Sequence, residues 1–131
     1  MPRYRLPADD LEYTVLSQLW ELSSASVREL HERLGKPDGL VYTTTAKVID
    51  RLRHKGLVLR QRKGHLFLYR PRVARAEIER ARARNAVHRL LGPAPHAAVA
   101  ALVEAVDAVD PGLLDALERA VSARRRAKDG T

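Results

Sequence analysis

From about Ala8 to Leu22, apolar residues recur at helical spacing: Leu11, Val15, Leu19 and Leu22, with Leu16 and Trp20 widening the stripe. Pro7 ahead of it and Asp9, Asp10 and Glu12 in its first turn suit a helix N-terminus, where the backbone dipole favours negative charge. After Ser23-Ser24-Ala25, the run Ser26-Val27-Arg28-Glu29 reads as a capping box, a serine followed three residues later by a glutamate. Val27, Leu30 and Leu34 supply the second helix with a buried face, and Gly35 is expected to end it. Lys36-Pro37-Asp38-Gly39 is a turn cluster. A third helix is predicted from about Val41 to Lys55, closed by Gly56. Val41, Thr45, Val48, Ile49 and Leu52 gather on one side of it, while Thr43, Ala46, Lys47, Asp50 and His54 collect on the other.

Beyond Gly56 the period shortens from 3.6 to 2. Leu57-Val58-Leu59-Arg60-Gln61 and Leu66-Phe67-Leu68-Tyr69-Arg70 read as two strands, joined by the turn Arg62-Lys63-Gly64-His65 and stopped by Pro71. Helical periodicity then returns. One helix is expected from Val73 to about Leu91, and Gly92-Pro93-Ala94-Pro95 breaks it. A second, from Ala97 to Val106, is apolar nearly all round. A third starts at Asp110-Pro111, carries Leu113, Leu114, Leu117 and Val121, and is expected to fray at Arg124-Arg125-Arg126. The predicted fold class is mainly α (α+β). Residues 1–72 form a winged helix-turn-helix domain, and residues 73–131 form a C-terminal three-helix dimerisation region. An all-round apolar helix is a buried one, and two small neighbours cannot cover it. The missing surface is most simply a second copy of the chain, with Ile78, Val87, Leu90, Leu91, Val99, Leu102, Val103, Val106, Leu114 and Leu117 at the interface. A compact monomeric appendage is the alternative.

Charge sharpens the first of these units. The net charge of the 131 residues is +8. Residues 1–35 carry ten charges that leave −2, and residues 73–131 carry only +2. Residues 36–72 hold ten Lys/Arg against two Asp/Glu, so the excess sits on the third helix and the hairpin. Clustered cations within a foldable segment are the footprint of a polyanion site, the other reading being a solvated basic face. With no cysteine, disulfides and thiolate metal sites are out of reach. The N-terminal residues show no apolar signal-peptide core, and no run is long enough to span a bilayer. A cytoplasmic protein without a membrane partner is expected.

Catalytic chemistry finds no constellation. The five histidines, at 31, 54, 65, 88 and 96, form no metal-spaced pair, so no metal site is expected. The glycines are scattered singly, and the serines at 23, 24 and 26 are explained by capping. No nucleophile, base and stabiliser occur together, so the chain reads as a non-enzyme without a cofactor. Double-stranded DNA accounts for more of the residues. A helix fits the major groove, and its outward N-terminal side chains reach base edges. Those are Thr43, Thr44, Ala46 and Lys47, with capping as the competing role for the two threonines. Asp50 can accept from a cytosine or orient Lys47. Tyr42, Arg51, Arg53, Lys55, Arg60, Arg62, Lys63 and His65 are placed to meet phosphates or the minor groove, although Arg51 can equally bind an acidic neighbour within the fold.

Tyr42-Thr43-Thr44, Asp50-Arg51-Leu52, Lys55-Gly56-Leu57-Val58, Arg60, Gly64 and Tyr69-Arg70-Pro71 together resemble the recognition-helix-and-wing pattern of the penicillinase repressor family of the BlaI/MecI type. Leu11-Glu12 with Leu19-Trp20 is similar to the family's first helix, and Ser26-Val27-Arg28-Glu29 to the start of its second. The resemblance implies a homodimeric repressor on palindromic operators, often with TACA and TGTA half-sites, upstream of β-lactamase or stress genes. Thr43, Thr44 and Lys47 would read the DNA, and Arg62 to His65 would form the wing. Three positions depart from the family. Ala46-Lys47 replaces a usual hydroxyl residue, which leaves the half-site sequence open. A regulatory protease is a family partner that cuts an Asn-Phe bond, and the corresponding stretch near Ala101-Leu102 has none. The cysteine cluster of copper-responsive relatives is absent. A non-specific nucleic-acid binder and a protein-interaction winged helix are the competing functions, and the second calls for an apolar or acidic outward face on the third helix.

Overall fold

The computed structural model describes residues 3–130. The chain divides into two compact units that meet in sequence at Ala83 and Arg84.

In the first unit, α1 (Asp10–Leu22) starts where Asp9 turns its carboxylate onto the backbone N–H of Glu12, at 2.8 Å. A helix N-terminus leaves such donors without partners, and the side chain satisfies one of them. The capping box opens α2 (Val27–Leu30) as expected: Ser26 Oγ accepts from the Glu29 N–H, and Glu29 Oε1 accepts from the Ser26 N–H, both at 3.2 Å. The helix does not end there. It widens into a π-helical turn, His31–Gly35. Gly35 is its last residue, so the helical segment ends where the glycine suggested, one π-helical turn after α2. It is buried inside the turn, where a Cβ would overlap Thr45 Oγ1 and His31 Nδ1, so only a glycine lets this turn close on the next helix.

That helix, α3 (Tyr42–His54), buries Thr45, Val48, Ile49 and Leu52. Val41, expected on the same face, is instead the N-cap residue and is 64% exposed. The buried side packs with Val15, Leu16, Leu19 and Leu30 into one apolar core. Each fully buried leucine or isoleucine there contributes about 1.5–3 kcal/mol over an exposed one.

The hairpin comprises β1 (Val58–Lys63) and β2 (Leu66–Pro71), antiparallel, with Val58 opposite Pro71 and Lys63 opposite Leu66. Gly64-His65 is thus a two-residue loop, and Gly64 takes φ 64°, the left-handed backbone that favours glycine in such a loop. A third backbone partner escapes the sequence. Ala25 exchanges hydrogen bonds with Tyr69, at 2.9 and 2.7 Å, and ties the α1–α2 connection to the hairpin. A single bridging residue has no period to read.

α4 (Arg75–Leu91) spans the division between the units. Val73 and Ile78 are buried in the core of the first unit, and Trp20 Nε1 donates to the Val73 carbonyl at 2.9 Å. Tyr13 donates to Glu79, and the Arg82 guanidinium lies 3.9 Å over the Tyr13 ring. The compact unit therefore runs on past residue 72. Ile78 belongs to its core and is unavailable to a partner chain.

The second unit contains α5 (Pro95–Val109), longer than its apolar run, and α6 (Gly112–Asp129). Asp110 Oδ1 accepts from the Gly112 N–H at 2.9 Å, but α6 starts one residue later than Asp110-Pro111 suggested, with Pro111 as its N-cap. The arginine run at 124–126 does not fray: it is helical, and α6 continues to Asp129. No residue between 84 and 130 is buried. Among the described residues, no helix is long and apolar enough to cross a membrane.

Candidate nucleic-acid interface

The first turns of α3 carry the residues expected to read bases. Thr43 and Lys47 are exposed, Thr44 and Ala46 half-buried, and Tyr42 is 49% exposed with its edge against His31, ring centres 5.5 Å apart. The N-cap Val41 makes no side-chain cap, and neither threonine takes that role. Thr45 faces inward instead, its hydroxyl 2.8 Å from His31 Nδ1. This bond ties the π-helical turn to α3 and, with the buried Val48, Ile49 and Leu52, sets which side of α3 faces outward. Asp50 pairs with Arg53 at 3.0 Å and His54 at 3.4 Å rather than with Lys47. No ion pair among the described residues engages Lys47.

At the other end of α3, two of the expected phosphate contacts turn out to be engaged within the fold. Glu12 of α1, which the sequence offers only as a first-turn acid, is 2% exposed. Lys55 Nζ lies 2.5 Å from its Oε1 and Arg51 Nε 3.4 Å from its Oε2. The Ala8 N–H also donates to Oε1, at 3.3 Å. A buried carboxylate must be paired and hydrogen-bonded to be tolerated, so Lys55, its side chain only 13% exposed, is an internal strut. Arg51 keeps half its side chain in solvent while its Nε pairs with Glu12. Arg53 is partly spent as well: one guanidinium nitrogen is held by Asp50, and its Nε is buried without a partner.

The hairpin is cationic at its tip but less polar than expected. Lys63 and His65 are exposed, and Arg62 Nε folds back on the Gly64 carbonyl at 3.1 Å. The Arg60 guanidinium sits 4.4 Å over the Phe67 ring, a cation–π contact that holds both groups in place. Leu66 and Phe67 are 60% and 43% exposed. Tyr42, Arg28, His65 and Phe67 line one cleft of about 680 Å³ between α2, the start of α3 and the hairpin. Arg28 and Phe67 were not singled out from sequence. Only the strand register, which sets Phe67 opposite Arg62 and on the same face as Arg60, brings the ring to this surface. Among the described residues there is no cluster of His, Asp or Glu suited to a metal ion.

The penicillinase repressor family matches residues 9–123 of this chain. The chain belongs to the penicillinase repressor family. It is 34% identical to the transcriptional regulator BlaI of Mycobacterium tuberculosis, in both strain CDC 1551 / Oshkosh and strain ATCC 25618 / H37Rv. In each case the match covers 86% of this chain and 81% of the relative. The solution structure of the DNA-binding domain of the repressor BlaI superposes with a TM-score of 0.51 at 25% identity, over 56% of this chain and 92% of that one. These relatives are transcriptional regulators rather than enzymes, and the α1–α3 plus hairpin unit of this family member is a winged helix.

The residues expected at a dimer interface divide in the second half of the chain. Val87, Leu90, Val99, Leu102 and Val103 are exposed, and Leu91, Val106, Leu114 and Leu117 half-buried. Ile78 alone among them is fully enclosed.

Proposed function

We propose that this family member represses transcription as a homodimer, seating two α3 helices in successive major grooves of a two-fold operator. The observation that carries the reading is the outward face of α3. Thr43 and Lys47 stand exposed and free of ion pairs at the helix start, on a helix whose rotation is fixed by Thr45, Val48, Ile49 and Leu52. Lysine donates to guanine O6 and N7, and threonine hydrogen-bonds or meets a thymine methyl. Lys63, Arg62 and His65 follow the adjacent backbone or minor groove, and Arg28 and the outer half of Arg51 add phosphate contacts. The relatives' names, penicillinase repressor and transcriptional regulator BlaI, support the same reading.

An apolar or acidic outward face would have favoured a protein-interaction winged helix, and this face is polar and cationic. Dimerisation is supported by the second unit, which has no buried residue among those described and exposes Val99, Leu102 and Val103. Bringing the two α3 helices about one helical turn of DNA apart requires a two-fold assembly. A genome-wide binding map with footprinting tests the proposal. Protection of a discrete palindrome is the expected result, and weak uniform coverage of all DNA overturns sequence-specific repression.

A further inference from the structure

Two contacts bind the His31 imidazole to the first turn of α3. Its Nδ1 lies 2.8 Å from the hydroxyl of Thr45, a residue only 2% exposed. Its ring edge meets Tyr42, with ring centres 5.5 Å apart and planes at 74°. Tyr42 and Thr45 bracket Thr43 and Thr44, the two threonines expected to read bases. The turn that carries His31 is shaped for these contacts. It is π-helical, closed by the Lys36 N–H on the His31 carbonyl at 2.7 Å, and such turns are frequent at functional sites. Gly35 shuts its other side, since a Cβ there would overlap both Thr45 Oγ1 and His31 Nδ1. The start of α3 lacks the usual anchor. Its N-cap is Val41, whose apolar side chain cannot accept from the first N–H groups of the helix.

We infer that His31 is a positioning residue for DNA recognition: its imidazole clamps the uncapped first turn of α3, so that Thr43 and Thr44 meet base edges in one fixed register. This role rests on the sequence-specific DNA reading proposed above, and adds to it a residue that touches no base. A helix end without a side-chain cap frays, and fraying here moves the reading hydroxyls themselves. Hydrogen bonds to base edges weaken steeply with distance and angle, whereas attraction to phosphates carries no sequence information. Loss of the clamp therefore removes discrimination between sites and leaves general DNA affinity in place. The bond also specifies its own substitutes. His31→Asn keeps a polar atom near the place of Nδ1, and His31→Leu fills the space without one. Thr45→Ser keeps the hydroxyl, and Thr45→Val removes it at nearly constant shape.

The test measures, for the full-length protein at one salt concentration, affinity for two duplexes. One carries the site defined by footprinting, and the other is a scrambled sequence of the same length and composition. His31→Leu and Thr45→Val are each expected to lower the ratio of the two affinities roughly tenfold, the scale of one lost base contact. Affinity for the scrambled duplex and the salt slope should stay unchanged, which a chain that had lost its fold would not show. His31→Asn and Thr45→Ser should keep the ratio within about twofold of the parent. Combining His31→Leu with Thr45→Val should cost no more than either alone, because both remove the same bond. Parental discrimination in Thr45→Val, a loss in His31→Asn as large as in His31→Leu, or additive losses in the double variant would each overturn the role of His31. A parent that prefers neither duplex overturns the sequence-specific reading, and this role with it. A selective parent with equally selective variants overturns the role alone.

Discussion

Lys47 projects from the exposed face of α3 with no ionic partner among the described residues. Its removal costs the fold nothing that the structure displays. Lys47→Ala should therefore lower affinity for the cognate operator by about 5- to 150-fold, the range of one good base contact. Stability and dimerisation should stay unchanged. Competition binding with point-substituted operators checks this, and equal loss on every sequence would reduce Lys47 to a phosphate contact. Glu12 of α1 is 2% exposed and pairs within the fold with Lys55 and Arg51. Glu12→Ala would leave the Lys55 ammonium, 13% exposed, without its counter-ion. Partly shielded as it is, that ammonium should cost about 2–3 kcal/mol in urea unfolding. Asp10→Ala, in the same turn but exposed, should stay within about 0.5 kcal/mol of the parent.

At the scale of the element, periodicity was a good guide to the face of a helix or strand that meets the core, failing at the helix end, where Val41 is an exposed N-cap. The inward set Thr45, Val48, Ile49 and Leu52 was legible because it recurs every three or four residues, and with it the outward set Thr43, Ala46 and Lys47. The hairpin and its glycine turn were legible for the same reason. Pairings between distant elements were not. Nothing local in Glu12 announces Lys55 and Arg51, forty residues or so away, and nothing in Gly35 announces that His31 and Thr45 close over it. Ile78 looked like the other apolar residues of α4, yet its position in the first turn puts it against the core of the winged helix. The wing offers an element-level test. If each protomer neutralises about four phosphates, a dimer should show a log–log salt slope near −7. Replacing Arg62 and Lys63 together by alanine removes two cations per protomer, and the slope should fall to about half. An unchanged slope, with affinity measured between 50 and 200 mM salt, would place the wing away from the DNA.

The whole molecule couples an enclosed unit to an open one. Residues through Ala83 build a core with fully buried leucines and isoleucines, whereas no residue from 84 to 130 is buried. Val99, Leu102 and Val103 of α5 are 38–50% exposed, on a helix without a single charged residue before Glu104. Apolar surface left in water at about 25 cal/mol per Å² is a standing cost, which association in the proposed homodimer would recover. In the proposed homodimer, operator affinity would depend on α5 as well as on α3, because two winged helices held together bind at an effective concentration neither has alone. Leu102→Asp places a carboxylate in that surface, where burial against a partner would require desolvating it. The variant should sediment as a monomer at concentrations where the parent is a dimer. It should also lose most of its operator affinity, at least a hundredfold, while binding a single half-site as the parent's winged helix does. Retained dimers would move the interface off α5, and monomers with full operator affinity would separate DNA binding from assembly.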